Sequence, residues 1–225
     1  MAPAGEGRRR FERGFVMFIF TRATEVDRHH QMAAIGASVE VAAIVERITG
    51  LPISVYLTRY ALPINHLRWS CRVDSQAEME TVNGKLLADA SYAEWVDTHS
   101  HLYESAPVDL LARVISASGM EQGPAAYYRV LTATAANGRL ADAVAFGVEA
   151  QQFVADATKL RTAFLTGVYG EFGSVTWLTA ADSMDGIDAL SEMEMSNPDY
   201  HELVKKAGEL FIAGSGSNTL IQKIN

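Results

Sequence analysis

The chain has 225 residues, 48% hydrophobic and 20% charged, with a formal net charge of −8, enough apolar material to bury a sizeable core and too much for a disordered chain. The acidic balance argues against a nucleic-acid partner, because binding a phosphate backbone draws on many Lys and Arg contacts, and no run approaches the ~20 apolar residues of a membrane helix. Cys71 is the single cysteine, so an intrachain disulfide and a cysteine-rich zinc site are excluded and a cytoplasmic setting is expected.

Residues 1–12, rich in Gly, Ala and Pro around Arg8-Arg9-Arg10 and followed by no long apolar segment, read as a flexible tail. Phe15 to Thr21 is a β-rich run. Gln31 to Thr49 then places Met32, Ile35, Val41, Ile44, Val45 and Ile48 at helical spacing before Gly50 and Pro52 supply a stop. Ile53 to Tyr60 and His66 to Val73 are rich in branched and aromatic residues and flank Pro63, which predicts a hairpin. Asp74 and Ser75 can cap a second helix with their side-chain oxygens, and Val108 to Ile115 is a closing strand. After a Gly- and Pro-containing link, Ser116 to Pro124, the order returns. Ala126 to Thr134 reads as strand and Arg139 to Ala157 as helix, with Thr162 to Tyr169 and Ser174 to Ala180 a hairpin around Gly170 and Gly173. Met184 to Phe211 is helical with an interruption at Pro198, and Asn218 to Ile224 is a last strand.

The recurrence extends to residues. Trp69 and Trp177 are 108 positions apart, as are Asp74 and Asp182, and the same offset carries Tyr92 onto Tyr200, Glu94 onto Glu202 and Val96 onto Val204. The expectation is an α+β chain of tandem duplicated ferredoxin-like β-α-β-β-α-β modules, residues 13–118 and 124–225. A ferredoxin-like sheet carries helices on one face only, so its other face needs cover. Two four-stranded antiparallel sheets from the two copies then form a barrel-like core with the helices outside.

This pattern resembles the dimeric α+β barrel superfamily, which includes antibiotic-biosynthesis-type monooxygenases, NIPSNAP-like proteins, haem-degrading monooxygenases and chlorite-dismutase-like haem proteins. The resemblance implies a pocket between the helices and the helix-facing side of a sheet. It supplies no catalytic residue.

The candidate site comes from an asymmetry between copies. Tyr92, Trp95, Val96, His99 and Tyr103 follow i, i+3, i+4, i+7 spacing on one predicted helix face, and His99 falls where copy two has Ala207. His99 can be read as a catalytic general base or as an axial haem ligand, both suited to a nitrogen titrating near neutrality. It can equally be read as an idle histidine at the core rim, hydrogen-bonded to a carbonyl. Tyr92, Trp95, Tyr103 and Trp69 would form a substrate pocket, although Trp69 with Trp177 also reads as duplicated core. On the strand 66–73, alternation sets Leu67, Trp69, Cys71 and Val73 toward the helices and His66, Arg68, Ser70 and Arg72 on the opposite face. That second set is either a barrel lining able to hold a carboxylate or phenolate, or a solvated face. His29-His30 has no partner at i+4 and is not a zinc motif. Tyr56, Tyr60, Tyr127 and Tyr128 read as strand residues first, and no Gly-rich phosphate loop opens a helix.

Three functions follow. The first is a small-molecule enzyme of secondary metabolism resembling cofactor-independent monooxygenases or cyclases, acting on an apolar aromatic or polyketide-like substrate. The second is a haem-binding barrel with His99 as axial ligand, and the third a non-enzymatic binding or assembly protein, with a homodimer as a possible state.

Overall fold

The first half of the chain runs β1 (Phe18–Glu25), α1 (Gln31–Thr49), β2 (Ser54–Tyr60), β3 (His66–Val73), α2 (Gln76–Leu87), α3 (Ala90–His99) and β4 (Val108–Ser118). The second runs β5 (Tyr127–Thr134), α4 (Leu140–Thr158), β6 (Arg161–Tyr169), β7 (Ser174–Ala181), α5 (Met184–Ser196), α6 (Pro198–Lys205) and β8 (Ser217–Lys223). This computed structural model describes residues 17–60 and 65–225, so the expected tail at 1–12 and the Pro63 turn lie outside the described residues. Among them, no helix is long and apolar enough to cross a membrane.

The strands close into one antiparallel barrel in the order β1-β3-β2-β8-β5-β7-β6-β4. Each half contributes a contiguous four-stranded sheet, and two seams join the sheets, β2 on β8 and β4 on β6. Each seam sets the last strand of one half against the second strand of the other, which is the duplicated α+β barrel expected from the repeat. Period-two alternation decides which residues go where. On β3, Leu67, Cys71 and Val73 are buried in the clusters under the helices, while Arg68, Ser70 and Arg72 line the barrel interior.

Three local features depart from the expectations. The second helix of the first half is two helices: Asp89 accepts hydrogen bonds from the Ser91 and Tyr92 amides and starts α3 anew, as Asn197 does for α6 in the second half, where the sequence predicts the interruption at Pro198. Helix α3 ends at His99, and after a short 3-10 turn Tyr103 is extended and bridged to Val26. Tyr103 therefore leaves the helix face on which its spacing put it. Strand β4 continues to Ser118, pairing Ser116–Ser118 with Phe164, Ala163 and Thr162 of β6, so three residues of the expected link are part of the barrel. The predicted cap is present: Ser75 Oγ accepts from the Glu78 amide at 3.0 Å, and the Glu78 carboxylate accepts from the Asp74 amide at 2.6 Å, one residue before the N-cap.

Candidate functional site

A cavity of about 630 Å³ lies between the outer face of the first half's sheet and helices α1, α2 and α3. The folding pattern produces it. Strands β1 and β3 supply Phe20, Arg22, Trp69 and Cys71, α1 supplies Val41 and Val45, and α3 with its following turn supplies Tyr92, Trp95 and Tyr103. Trp69, Tyr92, Trp95 and Tyr103, the substrate-pocket residues of the sequence reading, share this one wall. Trp69 and Tyr103 meet edge-on at 5.9 Å, the Tyr103 hydroxyl shares a 3.1 Å hydrogen bond with Ser38, and Trp69 donates to the Ser38 carbonyl at 3.0 Å. Burial holds the Tyr103 hydroxyl protonated, raising its pKa.

His99 does not join them. Its ring stacks at 5.0 Å on Trp95 and its Nδ1 lies 3.0 Å from the Trp95 carbonyl, and it is not part of the cavity wall. The geometry is that of the rim histidine paired with a carbonyl. No other histidine lines this cavity. Cys71 does, but burial pushes its thiol up to about 11, so it stands there as a neutral SH. A haem seated in this cavity would find no histidine or thiolate to ligate it, so the haem reading lacks its axial ligand here. Among the described residues no cluster of three or more His, Cys, Asp or Glu could hold a metal ion.

The polar equipment is small and ordered. Arg22 on β1 donates from Nε and Nη2 to the two Asp109 oxygens, both at 2.7 Å, and that pairing raises the guanidinium's pKa further. Its Nη1 donates to the Tyr92 hydroxyl at 3.3 Å. The Tyr92 oxygen thus accepts from a cation and keeps its own proton for another acceptor. The indole N–H of Trp95 is buried with no acceptor, a cost of roughly 1–3 kcal/mol that a ligand oxygen would relieve. Among the described residues, Glu104 is the one carboxylate in the wall.

Sequence reasoning missed Arg22, which sits on the second half's Leu131 once the true register is used. That register is 109 ahead of the β2–β3 hairpin and 108 after it. Val55 faces Trp69 as Phe164 faces Trp177, and Trp177 donates to the Gly147 carbonyl at 3.0 Å as Trp69 does to Ser38. The helix stops match as well. Thr49 and Thr158 each bond back to the carbonyl four residues earlier and accept the amide two residues later. The corresponding cavity of the second half measures only about 200 Å³. There Phe146, Phe153 and Phe164 stand where the first half has Ala37, Ile44 and Val55, and Glu194, in place of Leu86, ion-pairs with Arg129 and accepts from the Tyr200 hydroxyl at 3.2 Å.

Comparison by sequence finds no matching protein family and no matching curated protein. Solved structures do match. A monooxygenase candidate from Fusobacterium nucleatum superposes with a TM-score of 0.70 over 94% of each chain at 7% identity. An anthrone oxidase-like protein gives 0.65 over 95% of this chain and 93% of its own at 13% identity. A chlorite dismutase from Candidatus Nitrospira defluvii gives 0.53 over 96% and 94% at 9% identity. At such identities the likeness shows the fold alone, a closed eight-stranded α+β barrel with both halves in one chain.

Proposed function

We propose that the protein is an oxygenase acting on a planar phenolic aromatic of the anthrone type, without a metal or organic cofactor, in the cavity beneath α1, α2 and α3. The observation that carries this reading is the combination of a large, mainly apolar, aromatic-walled cavity with the Tyr92 hydroxyl backed by the Arg22 guanidinium. The fold shared with a monooxygenase candidate and an anthrone oxidase-like protein supports the same class.

Such a substrate carries an acidic CH2 group beside a ring system conjugated to a carbonyl. Loss of one proton leaves an enolate whose negative charge rests on the carbonyl oxygen. A preorganised donor at that oxygen lowers the cost of forming it, and Tyr92, its lone pair already engaged by Arg22, is that donor. Glu104 receives the proton. Trp69, Trp95 and Tyr103 hold the ring plane, and the free indole N–H of Trp95 meets a peripheral phenolic oxygen. The electron-rich enolate then reduces dioxygen. One oxygen atom ends in the new carbonyl and the other in water, and all four electrons come from the substrate carbon.

The test is oxygen uptake and quinone absorbance with 1,8-dihydroxyanthrone in air, with uncatalysed autoxidation subtracted. Protein-dependent uptake is expected. Binding seen as quenched tryptophan emission but without uptake would leave a ligand-carrying protein and overturn the oxygenase.

A further inference from the structure

The barrel interior, on the opposite face of the sheets from the two cavities under the helices, holds a third of about 390 Å³. Arg68 and Arg72 of β3 line it, with Tyr56, Tyr128 and aliphatic side chains such as Ile19 and Leu178, and none of its described lining residues is acidic. Arg72 has found a partner, donating to the Met120 carbonyl at 2.8 Å, and it is exposed. Arg68 has not. Its Nε is buried with no acceptor, and desolvation alone acts on its ionisation, lowering the pKa with no carboxylate to oppose it. A guanidinium partly withdrawn from water is normally matched by an acceptor or counter-charge, because the desolvation of its buried N–H is otherwise uncompensated.

A second orphan lies beside it. Thr58 is 4% exposed and its Oγ1 has no partner. Alternation along β2 puts Thr58 on the same inner face as Tyr56, its register partner Ile221 lines the cavity, and Tyr56 is the residue directly opposite Arg68. The unpaired cation and the unpaired hydroxyl are therefore diagonal neighbours on this sheet; Arg68 is in the chamber wall, whose other polar members are Arg72 and neutral Ser, Thr and Tyr side chains, and Thr58 is buried next to that wall without being part of it. Tyr56 adds a hydroxyl held neutral by burial and an edge-on contact with Tyr128 at 5.4 Å.

We propose that the barrel interior binds a small organic carboxylate with an apolar body, its carboxylate on Arg68 beside the Tyr56 hydroxyl and its body along Ile19, Tyr128 and Leu178. The site is separate from the Tyr92 cavity and does not depend on the oxygenase reading.

Titration calorimetry of the full chain with octanoate and with 1-octanol, which differ in the charged head, tests it. Wild type is expected to bind octanoate roughly 10–100-fold tighter than octanol, the range set by a charge-assisted hydrogen bond. Arg68→Met is expected to bind the two alike, and Tyr92→Phe to bind octanoate as wild type does. The ligand-free melting temperature of Arg68→Met is expected to equal or exceed that of wild type, since an uncompensated charge has been removed. Absence of octanoate binding, or equal affinity for the two probes in wild type, overturns the proposal whether or not the variant folds. Unchanged octanoate preference in Arg68→Met overturns it as well, and loss of octanoate binding in Tyr92→Phe would move the ligand to the outer cavity.

Discussion

Tyr92 and Tyr200 hold equivalent places in the two halves, yet the first accepts from Arg22 while the second donates to Glu194. Only Tyr92 has a proton to give, and Tyr200, pushed up to about 12 by burial and then by Glu194, is closed off. Tyr92→Phe is therefore expected to lower kcat for dihydroxyanthrone by about 10–100-fold with little change in KM, the pattern of a donor used mainly in the transition state. Arg22→Met should lose a similar amount, while Tyr200→Phe should leave kcat unaltered. Steady-state rates for the three variants decide it, and an unaffected Tyr92→Phe would remove Tyr92 from the chemistry. His99 is expected to act through Trp95. His99→Ala should cost less than the ~100-fold minimum of a general base and leave the shape of the pH–rate profile unchanged, and loss of a limb of that profile would return His99 to a catalytic part. Four of the pocket residues were legible in the sequence, Tyr92 and Trp95 by their helical spacing and Trp69 by the alternation of its strand, while Tyr103 reaches the same wall from the extended segment after the helix. His99 fell outside because its ring stacks behind Trp95, and Arg22 stayed hidden because nothing in a strand pattern says that its guanidinium is braced by Asp109 across the β1–β4 ladder.

Helix α4 and strand β6 show how the second half closed its cavity. A Cβ built on Gly147 would stand 2.1–2.7 Å from the Phe164 ring, so the glycine is what lets that ring lie flat under the helix. The first half pairs Ser38 with Val55 at the same two positions and leaves the space open. Gly147→Ala should destabilise the protein by about 2 kcal/mol through overpacking, more than offsetting the ~1 kcal/mol that alanine contributes inside a helix. Phe164→Val alone should cost a similar ~2 kcal/mol through the void it leaves. Combined, the two changes relieve each other, and denaturant titration should show the double variant losing clearly less than the sum; strict additivity would mean that the contact is not where the strain lies. This compensation was not readable from the 108 offset alone. The shift to 109 comes from one extra residue in the first hairpin, and without it Ser38 and Gly147 are compared with the wrong partners. Local capping chemistry was legible where side chains carry it, at Ser75 and Pro198. The break at Asp89 was not, because the predicted stripe from Tyr92 onward says nothing about where its helix begins.

At the scale of the whole molecule, the two halves share one continuous ladder. The seam of β4 on β6 runs from Leu111 to Ser118 and that of β2 on β8 from Tyr56 to Tyr60, and the interior cluster takes Tyr56 from the first half and Tyr128, Ala163, Leu165 and Ile221 from the second. Removing one half would strip both edge strands of their partners and expose the inner face of the remaining sheet, leaving unpaired backbone groups and apolar surface that water covers poorly. Neither half then has a stable folded state while the other is open, and unfolding should be a single transition despite the repeat. The tryptophans allow each half to be watched separately, since Trp69 and Trp95 lie in the first and Trp177 in the second. In guanidinium titrations of Trp177→Phe, emission reports the first half alone, and in Trp69→Phe/Trp95→Phe it reports the second. Each variant is expected to show an emission midpoint coincident with its own far-ultraviolet circular dichroism midpoint, although the midpoints of the two variants differ with the packing each has lost. An emission transition that precedes the dichroism change in either variant would mean that one half opens while the other stays folded, and the barrel would then be two domains in contact instead of one cooperative unit.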